Sequence, residues 1–337
     1  MSKFSLDVLQ RCVYPYFQSE DKDVVLGSIF GEDVALTRIG EDLLASHVDP
    51  IVGAVKGIGA LAVHVACNDI ATCGAQPRWI QLLVLVPSKK DVDLLERIMA
   101  DVSKAAREVG VAIVGGHTGY SASLSRPLVA VTAFAPLGGK PPVLTKGVQA
   151  GDHILVTKGI PLEGTAILAE DFTSTALRLG LTESDLADAK ALMAQVSVIP
   201  EAMILAQAGA SAMHDVTRGG LLETLLEMAS LSEVRIDIDY DKIKMPAVGK
   251  RFAEAFEFDP LRMISSGTLA AALPPEKVAE AGTALQDAGI SFADVGAAAP
   301  GAGVRVERMG EVREYKDVQP EADELARMWE VFTPDDA

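Results

Sequence analysis

Val92, Leu95, Ile98, Met99, Val102, Ala106 and Val109 recur at intervals of three and four, a spacing that predicts an amphipathic helix over 92–109. On either side the pattern changes to short apolar runs. Trp79 to Val86 is unbroken and stops at Pro87, Val111 to Val114 stops at Gly115, and Leu128 to Phe134 completes a predicted sheet. Upstream, Val24 to Phe30, Val34 to Ile39 and Leu43 to Val48 read as strands, separated by the turn sequences Gly31-Glu32-Asp33 and Gly40-Glu41-Asp42. A helix rich in small residues is expected over 58–73.

Pro136-Leu-Gly-Gly-Lys-Pro-Pro interrupts helix and sheet alike and is the best boundary candidate, giving domains over 1–140 and 141–337. A second αβ pattern opens with the strand at His153-Ile-Leu-Val-Thr. Helices are predicted near 162–170, 183–194, 200–208, 218–230, 247–256, 275–288 and 319–332, with strands over 234–238 and 267–273. This alternation predicts an α/β architecture of layered helices and sheets.

Composition narrows the function. A length of 337 residues exceeds what one hydrophobic core usually serves, and with 49% hydrophobic but only 5% aromatic residues the cores are filled by Val, Ile, Leu and Ala. The net charge of -17, from 47 acidic and 30 basic residues, makes nucleic acid a poor partner. Cys12, Cys67 and Cys73 are too few for a disulfide framework or a four-thiolate zinc site, and the expectation is small hydrophobes in a reducing cytosol. Asp7 and Arg11 break the apolar core that a signal peptide needs, and no run approaches the ~20 residues of a membrane span, so a cytoplasmic location without membrane association is expected.

Asp49 follows the strand that ends at Val48, and Asp69 rides inward on the helix through Leu61, Val65, Asn68 and Ala71. Asp33 lies in a turn that a surface hairpin would explain equally well, and it gains weight beside the other two. Grouped carboxylates suit Mg²⁺, a hard cation that binds through acidic side chains and substrate phosphates, and so point to phosphate chemistry.

Gly115-Gly116-His117-Thr118-Gly119 is expected at a strand's carboxyl end, where glycines let backbone N–H groups approach an anion; a flexible turn explains it as well. His214-Asp215-Val216-Thr217-Arg218-Gly219-Gly220-Leu221 carries the stronger signal. A strand runs into a helix start that gathers free N–H groups, an arginine and a threonine, which is an anion site by geometry and dipole. The alternative is a capping turn built on Asp215 or Thr217. Lys158 and Lys56, in similar loops, are equally readable as phosphate ligands or as solvated lysines.

The order and spacing of these segments resemble the PurM-like superfamily of aminoimidazole ribonucleotide (AIR) synthetases. That superfamily also holds thiamine monophosphate kinase, selenophosphate synthetase, formylglycinamidine synthase and the hydrogenase maturation protein HypE. The resemblance is carried by Gly31-x-Asp33-x-Ala35, Asp49-Pro-x-x-Gly53, Asn68-Asp69-Ile-Ala-x-x-Gly74-Ala75-x-Pro77, Gly115-Gly116-x-Thr118 and Asp215-x-Thr217-Arg218-Gly219-Gly220. The HypE branch looks closest, through its Asp-Pro and Asp-x-Thr-Arg-Gly-Gly segments.

The resemblance implies a homodimer that binds ATP, with N-terminal domains sharing a β-barrel and C-terminal α/β domains closing over the nucleotide. It implies Asp33, Asp49 and Asp69 as ligands of Mg²⁺ and phosphate. Gly115, Gly116, Thr118, Thr217, Gly219 and Gly220 would lie by the nucleotide, with Asp215 and Arg218 facing the reacting group. The γ-phosphoryl would pass to an amide, formyl or phosphate oxygen of a small-molecule or protein-borne substrate. A kinase resembling thiamine monophosphate kinase and a nucleotide-binding maturation factor without turnover are the alternatives. Two departures stand out. The sequence ends Phe332-Thr-Pro-Asp-Asp-Ala337, where HypE-like enzymes carry a terminal cysteine, so no carbamoyl or cyano group is expected on a C-terminal thiol. His117 replaces the Asp of HypE and the kinases and is familiar from selenophosphate synthetases.

Overall fold

The computed structural model describes residues 4–17, 19–52, 56–319 and 321–335. The chain forms two compact units. One contains Ser19–Ser28 and Asp33–Pro142, and the other contains the N-terminal helix, Ile29–Glu32 and everything from Val143 onward.

After helix α1 (Leu6–Cys12), the first unit is built from β1 (Val24–Leu26), β2 (Ala35–Ile39), β3 (Asp42–Val52), α2 (Ile58–Thr72), β4 (Trp79–Val86), α3 (Val92–Val109), β5 (Ala112–Tyr120) and β6 (Leu128–Pro136). Its sheet has the order β1-β2-β3-β6-β4-β5. Neighbours are antiparallel except β4 and β5, which are parallel because the amphipathic α3 crosses between them. One face is apolar and lies under α2, with Ala45, Ile80, Leu82, Val84, Val129, Val131 and Ala133 all buried. On the opposite face, Val48 is 58% and Leu83 36% exposed. The edge strand β5 leaves Val114 at 54% exposure.

β1 stops at Leu26 short of the expected Phe30, and two strands that carry candidate residues run past their expected ends. β3 runs on to Val52, so Asp49 lies inside the strand, opposite Val131, rather than beyond it. Pro50 does not stop the strand because past Ser46 β3 has, among the described residues, β6 as its only neighbour, the edge-type position a proline tolerates. β5 likewise continues through the pentad 115–119, which pairs residue by residue with 81–85 of β4. Gly116 is there for packing: a Cβ would stand 2.0 Å from the Leu82 carbonyl oxygen. Gly53 lies outside the described residues.

The second unit contains β7 (His153–Thr157), α4 (Glu163–Asp171), α5 (Thr173–Arg178), α6 (Glu183–Ala191), α7 (Ile199–Ala208), β8 (Ala212–Asp215), α8 (Gly220–Ser232), β9 (Val234–Asp239), α9 (Ala247–Phe256), β10 (Leu269–Leu273), α10 (Pro275–Asp287), β11 (Phe292–Pro300), β12 (Gly303–Arg308), β13 (Glu311–Tyr315) and α11 (Glu324–Val331). Its mixed sheet has the order β13-β12-β9-β11-β7-β10-β8. α8 packs its apolar residues against this sheet around Ile154, Ile236, Ala270 and Val295, while α4, α6, α9 and α11 close a second core around Phe172 and Phe252. Among the described residues no single helix is long and apolar enough to cross a membrane.

Candidate functional site

In the first unit His47 touches two of the three acidic residues. His47 Nδ1 contacts the backbone carbonyl of Asp33, and His47 Nε2 lies 3.2 Å from Asp69 Oδ2. Since α2 carries Asp69, this contact fixes the α2-facing side of β3 as the side of His47. Alternation along the strand then puts Asp49, two residues on, on the same side. Asp49 and Asp69 are therefore brought to the α2-facing side of β3, and the Asp33 backbone meets the same ring. Asp69 is buried, Asp33 and Asp49 half-buried. His47 has both nitrogens turned to protein oxygens, so it braces Asp69 and the Asp33 backbone rather than offering a free ligand atom.

Asp69 also marks its surroundings. Burial first, and then the nearby Asp69 charge, push the Cys67 thiol up to about 12, so it stays a protonated hydrophobe. Cys73 is buried as well, and Cys12 is exposed. Lys56 is exposed just before α2. Gly115, Gly116 and Thr118 lie along the exposed β5, with Thr118 opposite Val84.

In the second unit β8 ends at Asp215, and α8 begins after a turn containing Thr217 and the half-buried Arg218. α8 has no side-chain cap, so neither Asp215 nor Thr217 plays the capping role. Its start is held by backbone: Gly220 N–H donates to the Thr217 carbonyl at 3.0 Å and Leu222 N–H to the Leu261 carbonyl at 2.9 Å. The paired glycines thus have a structural cause. Gly219 is left-handed at φ 81°, and a Cβ on Gly220 would stand 2.4 Å from the Leu261 oxygen. Asp215 and Arg218 differ from the glycines in this respect. Asp215 is fully buried, and among the described residues neither carboxylate oxygen has a hydrogen-bond partner. Burying an ion this way costs on the order of several kcal/mol unless a cation or donor answers it. Among the described residues no hydrogen bond or ion pair engages Arg218.

Lys158 is neither solvated nor available to phosphate. Its Nζ lies 2.7 Å from Glu201 Oε1 and donates to the carbonyls of Gln195 and Ser197 at 2.9 and 2.6 Å. Burial lowers its pKa, against the opposing pull of Glu201. His47, Glu201 and Glu227 were not singled out by the motifs. His47 was within reach, because it stands two residues before Asp49 in a strand and so shares its face.

The two mixed α/β units define a PurM-like two-domain fold. Residues 31–136 match the N-terminal domain of AIR synthase related protein, and residues 149–308 match its C-terminal domain. The carbamoyl dehydratase HypE of Rhodobacter capsulatus is 31% identical over 245 residues, covering 71% of this chain and 68% of that protein. A selenide, water dikinase of Pelobacter propionicus is 30% identical over 253 residues, covering 73% and 68%. The crystal structure of HypE in complex with ATP superposes with a TM-score of 0.70 at 23% identity, over 93% of this chain and 95% of that one. The chain belongs to the AIR synthase related family and stands close to HypE.

Proposed function

We propose that this protein is an ATP-dependent enzyme that passes the γ-phosphoryl of MgATP to an amide, formyl or phosphate oxygen of a small-molecule or protein-borne substrate. Asp49 and Asp69 on the α2-facing side of β3, with the Asp33 backbone against the same His47 ring, carry this reading. Asp33, Asp49 and Asp69 would hold Mg²⁺, with Gly115, Gly116 and Thr118 beside the nucleotide. Thr217, Gly219 and Gly220 would serve the phosphates, and Asp215 and Arg218 would face the reacting group. Bound Mg²⁺ supplies charge neutralisation on the phosphates. Arg218, which no hydrogen bond or ion pair engages among the described residues, would offer a planar cation where charge develops. The ATP-bound HypE neighbour supports the nucleotide, and membership of the family supports the reaction type.

An ADP-release screen with amides, nucleotides, thiamine phosphate, selenide and candidate protein partners tests the proposal. Free phosphate with an altered substrate marks activation and displacement. A phosphorylated product marks a small-molecule kinase, the second reading, which the selenide, water dikinase relative favours. ATP binding without ADP release across the panel would sink both and leave a non-catalytic maturation factor. Arg218→Ala should lower turnover more than ATP affinity, because its contact strengthens as charge develops; equal losses would assign it to the helix start instead.

The same reading includes a homodimer in which first units pair through their open faces. It is supported by the exposed Val48 and Leu83 and by β5, an edge strand with β4 as its one neighbour. Light scattering should give twice the chain mass of 35.5 kDa. Val48→Glu with Leu83→Glu should give the monomer, and a wild-type monomer at micromolar concentration would remove the claim.

A further inference from the structure

α8 reaches the end of β8 with two polar side chains one turn apart. Thr224 Oγ1 donates to the Asp215 carbonyl at 3.4 Å, and that same carbonyl faces His214 Nδ1 at 2.8 Å. His214 Nε2 in turn lies 2.9 Å from Glu227 Oε2. Thr224 and Glu227, three residues apart, share one helix face. All three side chains and Asp215 itself are buried.

Counting protons constrains what this chain of contacts is. A carbonyl oxygen has no proton to give, so Nδ1 carries one and donates it to Asp215. At 2.9 Å a bare Nε2 lone pair would repel an ionised Glu227, so a second proton lies between Nε2 and Oε2. It sits on the ring with Glu227 ionised, or on Glu227 with the ring neutral. Either way the pair holds the same number of protons and no net charge.

We propose that His214 and Glu227 form a proton-locked clamp that fixes the peptide of Asp215, so that its carboxylate is presented in one orientation at the end of β8. They are positioning residues rather than a relay, because Nδ1 stands 3.8 Å from Asp215 Oδ1, beyond hydrogen-bond reach. The functional half of this inference rests on the reading of Asp215 as facing the reacting group; the clamp itself rests on the contacts alone.

The two nitrogens can be tested separately in the full chain. His214→Asn places an amide where Nδ1 donates, and His214→Gln places one where Nε2 meets Glu227. Glu227→Gln keeps a donor for Nε2 and so preserves the Nδ1–H form, whereas Glu227→Leu removes the partner. Long-range ¹H–¹⁵N spectra of histidine-labelled protein should show a protonated, exchange-protected Nδ1 in the wild type and in Glu227→Gln, and a mixture of tautomers in Glu227→Leu. ADP release from MgATP alone should fall about tenfold or more in kcat, with the KM for ATP unmoved, in Glu227→Leu and His214→Gln. His214→Asn and Glu227→Gln should keep most of the wild-type rate. A wild-type ring unprotonated at Nδ1, or His214→Gln as active as His214→Asn, would overturn the clamp. Undiminished turnover in Asp215→Asn would instead sink the role given to Asp215 while the protonated Nδ1 stood, so the two failures are told apart.

Discussion

His47 Nε2 lies 3.2 Å from Asp69 Oδ2, so a single ring couples strand β3 to helix α2 while its other nitrogen faces the Asp33 carbonyl. If these acids hold Mg²⁺, supporting groups of this kind are worth about 10–100-fold in metal affinity. His47→Ala should weaken MgATP binding about tenfold, and Asp69→Asn at least as much, because it removes a charge with little change of volume. Both variants should keep the wild-type circular dichroism spectrum. Calorimetry showing unchanged affinity in Asp69→Asn would count decisively against the site.

Gly116 gives a test that separates packing from nucleotide contact. Its Cβ would stand 2.0 Å from the Leu82 carbonyl, and backbone in a sheet cannot step aside cheaply. Gly116→Ala should lose about 2–4 kcal/mol of stability in denaturant unfolding, with or without nucleotide present. At Gly115 a Cβ would meet nothing within 4 Å, so Gly115→Ala should cost less.

The Lys158–Glu201 pair is buried enough for each charge to depend on the other. Lys158→Met or Glu201→Leu alone should cost about 3–5 kcal/mol, because each strands the opposite charge. The double variant should cost clearly less than the sum of the two. Additive losses in a double-mutant cycle would show that the contact carries no coupling.

The turn at Asp42 should contribute to acid stability. N–H groups of Gly139, Leu43 and Gly138 bond its carboxylate and lower its pKa, against a smaller opposing effect of burial. A lowered folded value means that the contribution is fully present above the unfolded carboxylate value of about 3.9 and is lost as pH falls through the folded value. Asp42→Asn should therefore be less stable than the wild type near neutrality, with the gap closing at acid pH. A gap in melting temperature that stays constant on acidification would contradict this.

How much of this was readable in the chain depends on the kind of signal. α3 and β4 were legible to the residue, since a clean 3–4 spacing and an apolar run stopped by Pro87 each leave one interpretation. β11 was not. Phe292-Ala-Asp-Val-Gly-Ala-Ala-Ala-Pro300 has the alanines and glycine that strands disfavour, and it is held extended by β7 on one side and β9 on the other. β12 and β13 were missed with it, as were the short helices α1 and α5. The motifs located Asp33, Asp49, Asp69, Asp215 and Arg218 as candidates. They were silent on His47 and Glu227, because those roles arise from contacts between elements, which depend on strand register and helix phase rather than on sequence neighbours.

Ile29–Glu32 belongs with the second unit although it precedes most of the first in the chain. The Glu32 carboxylate accepts the N–H groups of Thr145 and Lys146 at 3.1 and 3.2 Å, at the very point where the second unit's continuous sequence begins. The polypeptide is thus sewn rather than joined end to end: a short stitch is placed in the later fabric before the earlier piece is woven. During synthesis that stitch has no seam to enter until the ribosome has moved more than a hundred residues on, and a fragment begun at residue 143 would be cut from cloth that lacks its own hem.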